Sequence, residues 1–304
     1  MKVLLCYFSG TGNTRKVINR FAEVFAEHEV SVDLYRIEEN NFTYNLDDYD
    51  MIGIGYPVHA FNAPSIILNF AKSLPEQKDK RTIIINTSGE PLKLNNISSL
   101  KLSKILTKKG YNITNEYHYC MPYNIIFRHT DNMAYKMWKT ANDVIPIDCK
   151  EILNGKQAHL DKVFMGSFIA WLFRIEFWGG RFNGKRYKVN ENCIHCNKCV
   201  NTCPTHNITI KDGKFHFGKN CIMCMRCSFY CPKAAIKIGL FERWKVNGAY
   251  NFNNPNDYED EVHKKYCQKS YIRYFEECNQ KISQAKTMLE ETEEQEEIED
   301  VVKA

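Results

Sequence analysis

The feature that constrains this chain most is a cysteine-rich motif that occurs twice. Eight of the 13 cysteines lie between Cys193 and Cys231, and both halves of this stretch read C-x₂-C-x₂-C-x₃-C-P. The two copies align when the first is read from Asn192 and the second from Asn220. Clustered cysteines are typical of a metal site in a reducing compartment rather than of a disulfide scaffold. We therefore interpret residues 188–240 as a duplicated small module.

The spacing predicts two 4Fe–4S clusters. Three thiolates within seven residues can surround one cluster, whereas the fourth cysteine lies too far along the turn and reaches the other cluster. Structural zinc sites use cysteine pairs with a longer interval between the pairs, and zinc is the alternative to be tested. The predicted ligands of one cluster are Cys193, Cys196, Cys199 and Cys231. Those of the other are Cys221, Cys224, Cys227 and Cys203.

The first half of the chain alternates apolar, β-rich runs with helical patterns. The predicted strands are Val3–Phe8, Val30–Tyr35, Met51–Tyr56, Thr82–Thr87 and Ile113–Cys120. The predicted helices are Thr14–Glu27, Ala63–Ser73, Ile97–Lys108 and one within Asp131–Leu153. Continuously apolar strands separated by helices indicate an α/β fold with a doubly wound, five-stranded parallel sheet. Ligands of such sheets bind beyond the carboxyl ends of the strands.

A candidate phosphate-binding loop follows the first predicted strand. Its sequence is Ser9-Gly10-Thr11-Gly12-Asn13-Thr14, and it opens the first predicted helix. Backbone N–H groups and hydroxyls at a helix N-terminus form a cradle for phosphate. A dinucleotide fingerprint would need glycine where this chain has Arg15, and a Walker loop would need a lysine. The loop therefore suits a phosphate monoester, with an ordinary turn before a helix as the alternative.

These two motifs together carry a family resemblance. The loop resembles the flavodoxin pattern (S/T)-x-T-G-x-T, and with the cysteine motif downstream Met1–Leu240 resembles the flavodoxin–ferredoxin fusion ferroflavoproteins of anaerobic microbes. The resemblance implies a flavodoxin-like domain that binds FMN, followed by a small α+β two-cluster ferredoxin domain. The phosphate ligands that it implies are Ser9, Thr11, Gly12, Asn13 and Thr14. The contacts that it implies for the flavin ring and ribityl chain are Pro57, Val58, His59, Ala60, Phe61, Asn62, Thr87, Ser88, Gly89, Pro122, Tyr123 and Asn124.

Individual residues of these loops have more than one interpretation. Phe61 and Tyr123 are candidates for stacking on the flavin ring. His59 is a candidate proton donor for the reduced flavin, and the alternative is a histidine that only shapes its loop. Glu90 is one of few acidic residues in these loops, so a very low flavin potential is not carried over from the family.

The sequence predicts four segments. Residues 1–153 form the FMN-binding domain, 154–187 a basic and aromatic connector, 188–240 the ferredoxin domain, and 241–304 a helical extension with an acidic tail. Within the connector, Val163–Phe173 contains no charged residue and is too short to span a membrane. We expect its aromatic side chains to pack between domains, with contact to a membrane surface as the alternative.

The charge distribution limits the expected partners, and the N-terminal sequence indicates the expected location. The formal charge is +5, but residues 188–240 hold eight basic and two acidic residues, which offsets the negative charge of two clusters. Nucleic acid is therefore not expected as a partner. The N-terminal apolar run is too short for a secretory signal, which favours the cytoplasm.

The leading hypothesis is an electron-transfer protein that exchanges electrons with a redox protein donor or acceptor. One alternative is an FMN-dependent reductase of a small-molecule acceptor, linked or not to NAD(P)H. A third is a nucleic-acid-binding or membrane-docked module with structural or sensory clusters.

Overall fold

The computed structural model describes residues 1–253 and 267–303. The rest of the predicted polar segment after Asn253 lies outside these residues.

The N-terminal domain is a five-stranded parallel sheet covered by helices on both faces. The strands are β1 (Lys2–Tyr7), β2 (Ser31–Arg36), β3 (Met51–Pro57), β4 (Lys80–Ser88) and β5 (Tyr111–Cys120), in the order β2-β1-β3-β4-β5. The helices are α1 (Asn13–Glu27), α2 (Ser65–Ser73), α3 (Leu100–Lys108) and α4 (Asp131–Leu153). This is the doubly wound order, and the predicted fold class is confirmed.

Alternation of apolar side chains along each strand builds two cores. Leu4 and Cys6 of β1 point to the face covered by α2 and α3, whereas Val3 and Leu5 point to the face covered by α1 and α4. Both faces are therefore sealed from water, and the strand ends carry the polar loops. The helix predicted from Ile97 begins only at Leu100, because Lys93–Ser99 forms a 3₁₀ turn.

The second half of the chain is a small α+β unit preceded by two helices. The two helices are α5 (Gly166–Phe173) and α6 (Ile175–Gly184). The short strands are β6 (Lys188–Val189), β7 (Ile208–Lys211), β8 (Lys214–Phe217) and β9 (Ile236–Lys237), and the one-turn helices are α7 (Lys198–Asn201) and α8 (Arg226–Phe229). Strand β6 pairs with β9, and β7 pairs with β8 in an antiparallel hairpin.

The expectation that the aromatic residues of the connector pack between domains is wrong for most of them. Phe164, Phe168, Trp171 and Trp178 are exposed. Only the small residues Gly166 and Ala170 of α5 are buried. Within the described residues, no helix combines the length and the apolar character that crossing a membrane requires.

A terminal helix, α9 (Gln268–Lys303), packs against the flavodoxin-like sheet domain. The predicted apolar stripe places Tyr271 and Phe275 in the interior. The Lys281 ammonium binds the carboxylates of Asp148 at 2.5 Å and Glu151 at 2.7 Å, both on α4. The terminal helix is thus attached to the first domain, whereas the start of the extension contacts the cysteine-rich unit: the Asn247 amide donates to the carbonyls of Ser228 and Cys231.

Candidate cofactor sites

A cleft of about 480 Å³ lies at the carboxyl ends of the strands. It occurs where the loops after β1, β3, β4 and β5 meet, which is the location expected for ligands of a doubly wound sheet. The predicted residues that line it are Ser9, Thr11, Asn13, Thr14, Pro57, Val58, His59, Ala60, Phe61, Thr87, Ser88, Gly89, Pro122, Tyr123 and Asn124. Fifteen of the seventeen predicted flavin-site positions therefore meet in one cleft.

The other two positions do not line the cleft. Gly12 has a φ of 103°, in the left-handed region, and forms the turn into α1. The Asn62 amide donates to the carbonyls of Ala60 at 2.9 Å and Ala170 at 3.1 Å, so it fixes the loop and its contact with α5.

The phosphate loop has the chemistry of an anion site. Helix α1 begins at Asn13 without a capping side chain, and its first turn contains no acidic residue. The N–H groups of that turn are therefore available to an anion. The Ser9 hydroxyl accepts the Gly12 N–H at 3.1 Å, and the Thr14 and Thr87 hydroxyls lie 2.8 Å apart. These residues fit the FMN phosphate.

Two buried polar atoms of the cleft residues also point to a ligand. The hydroxyl of Tyr123 and the Oε2 atom of Glu90 have no hydrogen-bond partner within the described parts of the chain. An unpaired buried polar group is unfavourable by about 1–3 kcal/mol unless a ligand or water satisfies it. Burial raises the pKa of Glu90 to about 7. A bound molecule with polar edges, such as a flavin, fits these groups.

A chain of hydrogen bonds joins the loops after β4 and β5 to the terminal helix. The Tyr123 N–H donates to Nδ1 of His129 at 3.3 Å, and Nε2 of that ring lies 3.2 Å from the Tyr271 hydroxyl. The Tyr271 hydroxyl donates to the Gly89 carbonyl at 2.5 Å. The Tyr123 ring also stacks on His129, with centroids 5.4 Å apart. Helix α9 therefore holds two walls of the cleft in place.

His59 contacts the cysteine-rich unit. Burial lowers its pKa to about 4, opposed by a hydrogen bond to the Ile222 backbone. The imidazole is therefore neutral at pH 7. This geometry joins the loop after β3 to the second cysteine loop; it does not test the hypothesis that His59 donates a proton.

Part of the cleft was not predicted from the sequence. Four walls come from outside the sheet domain: Phe173 of α5, Gly180 of α6, Met223 of the second cysteine loop, and Phe241 with Trp244 beyond β9. From the sheet domain, Gly10, Glu90 and Asn95 also line it. Contributions from the second half could not be read from motifs, because they depend on how the two units pack.

The eight motif cysteines line two separate cavities. Cys193, Cys196, Cys199 and Cys231 line the first, and Cys203, Cys221, Cys224 and Cys227 line the second, with Cys227 also reaching the first. These are the two predicted ligand sets, each with one cysteine from the other half of the repeat. Within the described residues, no three histidine, cysteine or acidic side chains are arranged around a single metal ion.

The two cysteine loops have the same backbone conformation. His195 and Asn197 in the first loop are left-handed, with φ of 52° and 57°. Their counterparts in the second, Met223 and Met225, have φ of 50° and 59°. The Asn207 and Ala235 N–H groups donate to the sulfurs of Cys203 at 3.3 Å and Cys231 at 3.2 Å. Sulfur ligands that accept N–H bonds suit a negatively charged cluster, so both cavities fit such a group.

The second cysteine loop packs directly on the phosphate loop. The Arg226 guanidinium donates to the carbonyls of Ser9 at 2.6 Å and Gly10 at 3.0 Å, and binds the Glu38 carboxylate at 2.8 Å. The Tyr230 hydroxyl donates to the Thr11 carbonyl at 2.6 Å. A methyl group at Gly10 would collide with the Cys224 carbonyl. The two predicted cofactor regions are thus in van der Waals contact.

The two cavities differ in their access to solvent. Cys196 in the first ligand set is exposed, whereas its counterpart Cys224 in the second set is buried against the sheet domain. The first set is therefore the outer one and the second the inner one.

Two known families match separate parts of the chain. The flavodoxin domain family matches residues 4–114, and the 4Fe-4S binding domain family matches residues 187–209. The chain thus contains a flavodoxin domain followed by a 4Fe–4S domain. This order is the one expected of the flavodoxin–ferredoxin fusion proteins that the sequence resembles.

Solved structures similar to the chain include flavodoxins. A flavodoxin from Megasphaera elsdenii is 22% identical, with 38% of this chain and 84% of that chain covered and a TM-score of 0.33. A putative flavoprotein from Bacteroides eggerthii is 23% identical, with 38% and 87% covered and a TM-score of 0.31. An NAD(P)H:quinone oxidoreductase from Methanothermobacter marburgensis is 11% identical, with 48% and 98% covered and a TM-score of 0.36. No curated protein matches the sequence.

Proposed function

We propose that this protein is a cytoplasmic electron-transfer flavoprotein that holds FMN and two 4Fe–4S clusters. The observation that carries the proposal is the contact between the inner cysteine loop and the flavin cleft. Met223 lies between two inner ligands, Cys221 and Cys224, and its side chain lines the cleft. Cys224 abuts Gly10 of the phosphate loop.

The residues that would hold each group follow from the two sites. The phosphate loop would bind the FMN phosphate, and the loops after β3, β4 and β5 would enclose the ring. The outer and inner cysteine sets would each bind one cluster. When bound, such clusters exchange single electrons and FMN exchanges one or two, so the set links one-electron to two-electron chemistry.

The protein's own contribution is position and access. Arg226 and Tyr230 hold the phosphate loop against the inner cysteine loop. Exposed Cys196 places the outer site where a redox partner protein can reach it. Lys198 and Lys233 line the same cavity and supply positive charge beside it. We therefore expect an acidic surface on that partner.

The domain division that we propose follows the same elements. Helix α4 ends at Leu153 and strand β6 begins at Lys188, which supports a connector of residues 154–187. The proposed boundary between residues 240 and 241 falls within the 3₁₀ turn Gly239–Trp244.

Composition analysis with matched cysteine variants tests the proposal. Anaerobically purified protein should contain one FMN, about eight irons and about eight sulfides per chain. Cys224→Ser should reduce iron to about four, and Cys196→Ser should do the same while leaving the inner site intact. Cys267→Ser, which changes a cysteine outside both sets, should leave iron unchanged. Zinc without sulfide would contradict the proposal.

Anaerobic mixing with NADH or NADPH separates a carrier from a reductase. An electron carrier should show no rapid bleaching of the flavin absorbance. Rapid bleaching by either nucleotide would favour the alternative, an FMN-dependent reductase of a small acceptor. Either result is compatible with the cofactor content expected from the composition analysis, so the two tests are independent.

A further inference from the structure

Helix α5 presents an apolar face to solvent. Its inner side is made of small residues: Gly166 approaches Ile97, and the Ala170 carbonyl accepts the Asn62 amide. The large side chains therefore point outward. Phe164 is 88% exposed and Trp171 is 60% exposed. The exposed apolar residues of this segment that do not line the cofactor cleft are Phe164, Met165, Phe168, Trp171 and Leu172; Phe173 is also exposed but lines the cleft.

Helix α6 extends this face and adds positive charge. Trp178 is 71% exposed and Phe182 57% exposed, one turn apart. The Arg181 guanidinium lies 5.7 Å from the centre of the Trp178 ring. The Arg186 guanidinium lies 4.1 Å from the centre of the Phe182 ring. Basic groups therefore lie beside the exposed aromatic rings rather than apart from them.

We call these exposed apolar residues, together with Arg181, Lys185 and Arg186, the α5–α6 surface. Residues 162–188 contain six basic residues and one acidic residue. Lone exposed apolar residues are normal, but a group of exposed apolar side chains on two consecutive helices, with Phe168 stacked on Trp171 at 5.9 Å, marks an interaction site.

We propose that the α5–α6 surface docks onto an anionic phospholipid bilayer. Trp and Phe rings prefer the interface between headgroups and acyl chains, and Lys and Arg beside them bind lipid phosphates. Helix α5 has eight residues, so it is about 12 Å long and lies in the interface rather than across the bilayer. The charge favours a bilayer over a second copy of the chain, because two such basic surfaces would repel each other.

Vesicle flotation of the anaerobically purified holoprotein tests the docking. We expect binding to vesicles with about one-quarter phosphatidylglycerol, and at least tenfold weaker binding to pure phosphatidylcholine. The double variant Phe168→Ser/Trp171→Ser should lose binding. The double variant Arg181→Gln/Lys185→Gln should bind anionic vesicles about 30-fold more weakly and lose most of the lipid selectivity.

A control variant distinguishes docking through the α5–α6 surface from nonspecific hydrophobic adsorption. Ile210→Ser removes an exposed apolar side chain from β7 and should bind vesicles like the unchanged protein. Far-ultraviolet circular dichroism together with iron and FMN content should be the same in all variants, since the altered side chains are exposed. Blue-shifted tryptophan fluorescence on vesicle binding, reduced in Trp171→Ser but not lost because Trp178 lies on the same surface, would place the Trp171 ring in the interface.

Three results would overturn the proposal. The first is absence of binding to anionic vesicles, and the second is binding that Phe168→Ser/Trp171→Ser leaves unchanged. The third is a dimer of the unchanged protein, detected by light scattering, that does not bind vesicles and that becomes a monomer in the Phe168→Ser/Trp171→Ser variant. That last result would assign the surface to a second copy of the chain.

Discussion

Arg226 makes contacts between the cysteine-rich unit and the sheet domain that a single substitution can remove. Its guanidinium donates to three carbonyls, those of Ser9, Gly10 and Thr202, and to the Glu38 carboxylate. The Arg226 and Glu38 side chains are 11% and 8% exposed, so both charges are largely removed from water. We predict that Arg226→Ala destabilises the fold and weakens FMN binding.

The magnitude follows from these bonds. Hydrogen bonds that involve a charged group contribute about 1.5 kcal/mol each, which gives about 6 kcal/mol for four. Arg36 also binds Glu38, at 2.9 Å, and water can enter the vacated space, so the expected loss is smaller, about 3 kcal/mol. About half of it concerns the carbonyls of the phosphate loop, which corresponds to roughly tenfold weaker FMN binding.

The assays are urea unfolding of the anaerobic protein and fluorescence titration of FMN-depleted protein with FMN. Arg243→Ala is the matched control, because Arg243 is an exposed arginine on the turn Gly239–Trp244 that follows β9. Arg226→Lys keeps the charge but loses the fork of donors, and should fall between the two. If Arg226→Ala matched Arg243→Ala in both assays, the contact would not hold the phosphate loop.

Three other predictions concern the cleft. Gly10→Ala should separate the phosphate loop from the Cys224 carbonyl and weaken FMN binding at least tenfold, measured by the same titration. Tyr271→Phe should leave the Gly89 carbonyl unpaired and lower the free energy of unfolding by about 1–3 kcal/mol in urea. The raised pKa of Glu90, about 7 against the usual 4.5, should contribute a loss of up to about 3 kcal/mol of stability in FMN-depleted protein as pH rises from 4.5 through 7, measured by urea unfolding. His59 and His118, whose pKa values burial lowers to about 4, contribute in the opposite direction over this range.

A control variant tests each of these three predictions. Gly213→Ala changes a glycine between β7 and β8 that has open space around it and a φ of 70°, so the added methyl strains only that turn and should leave FMN affinity unchanged. Tyr44→Phe, which keeps the ring contacts of a tyrosine outside the cleft, should affect stability less than Tyr271→Phe does. The Glu90 contribution is the difference in stability between the unchanged protein and Glu90→Gln across pH 4.5 to 7, because an amide does not ionise and the histidine contributions are common to both proteins. The same pH dependence in both proteins would show that Glu90 does not contribute.

The sheet and the cysteine sets were predictable because their signals are local. The central strands β1, β3 and β4 each contain a continuous apolar run, and each cysteine loop has a fixed spacing. The packing of the two units was not predicted, although the repeat contains a clue. Where the first copy has Lys198 and Thr202, the second has Arg226 and Tyr230, which bind the phosphate loop. Departures between two copies of a repeat thus marked the copy that is buried.

The sequence did not predict which side of the connector faces inward, and the reason is different. A segment that is apolar all round, such as Val163–Phe173, carries no period that says which side faces inward. Burial was decided by Gly166 and Ala170, whose small size lets α5 approach the sheet domain. The large aromatic residues were left on the opposite side.

The bonds from Arg226 and Tyr230 to the phosphate loop join two units of one polypeptide. Their meeting is therefore independent of protein concentration, unlike the encounter of a free flavodoxin with a free ferredoxin. Dilution to nanomolar levels would separate two such free proteins but would leave this junction assembled. A cell that makes only a few copies of this protein would still have every copy complete.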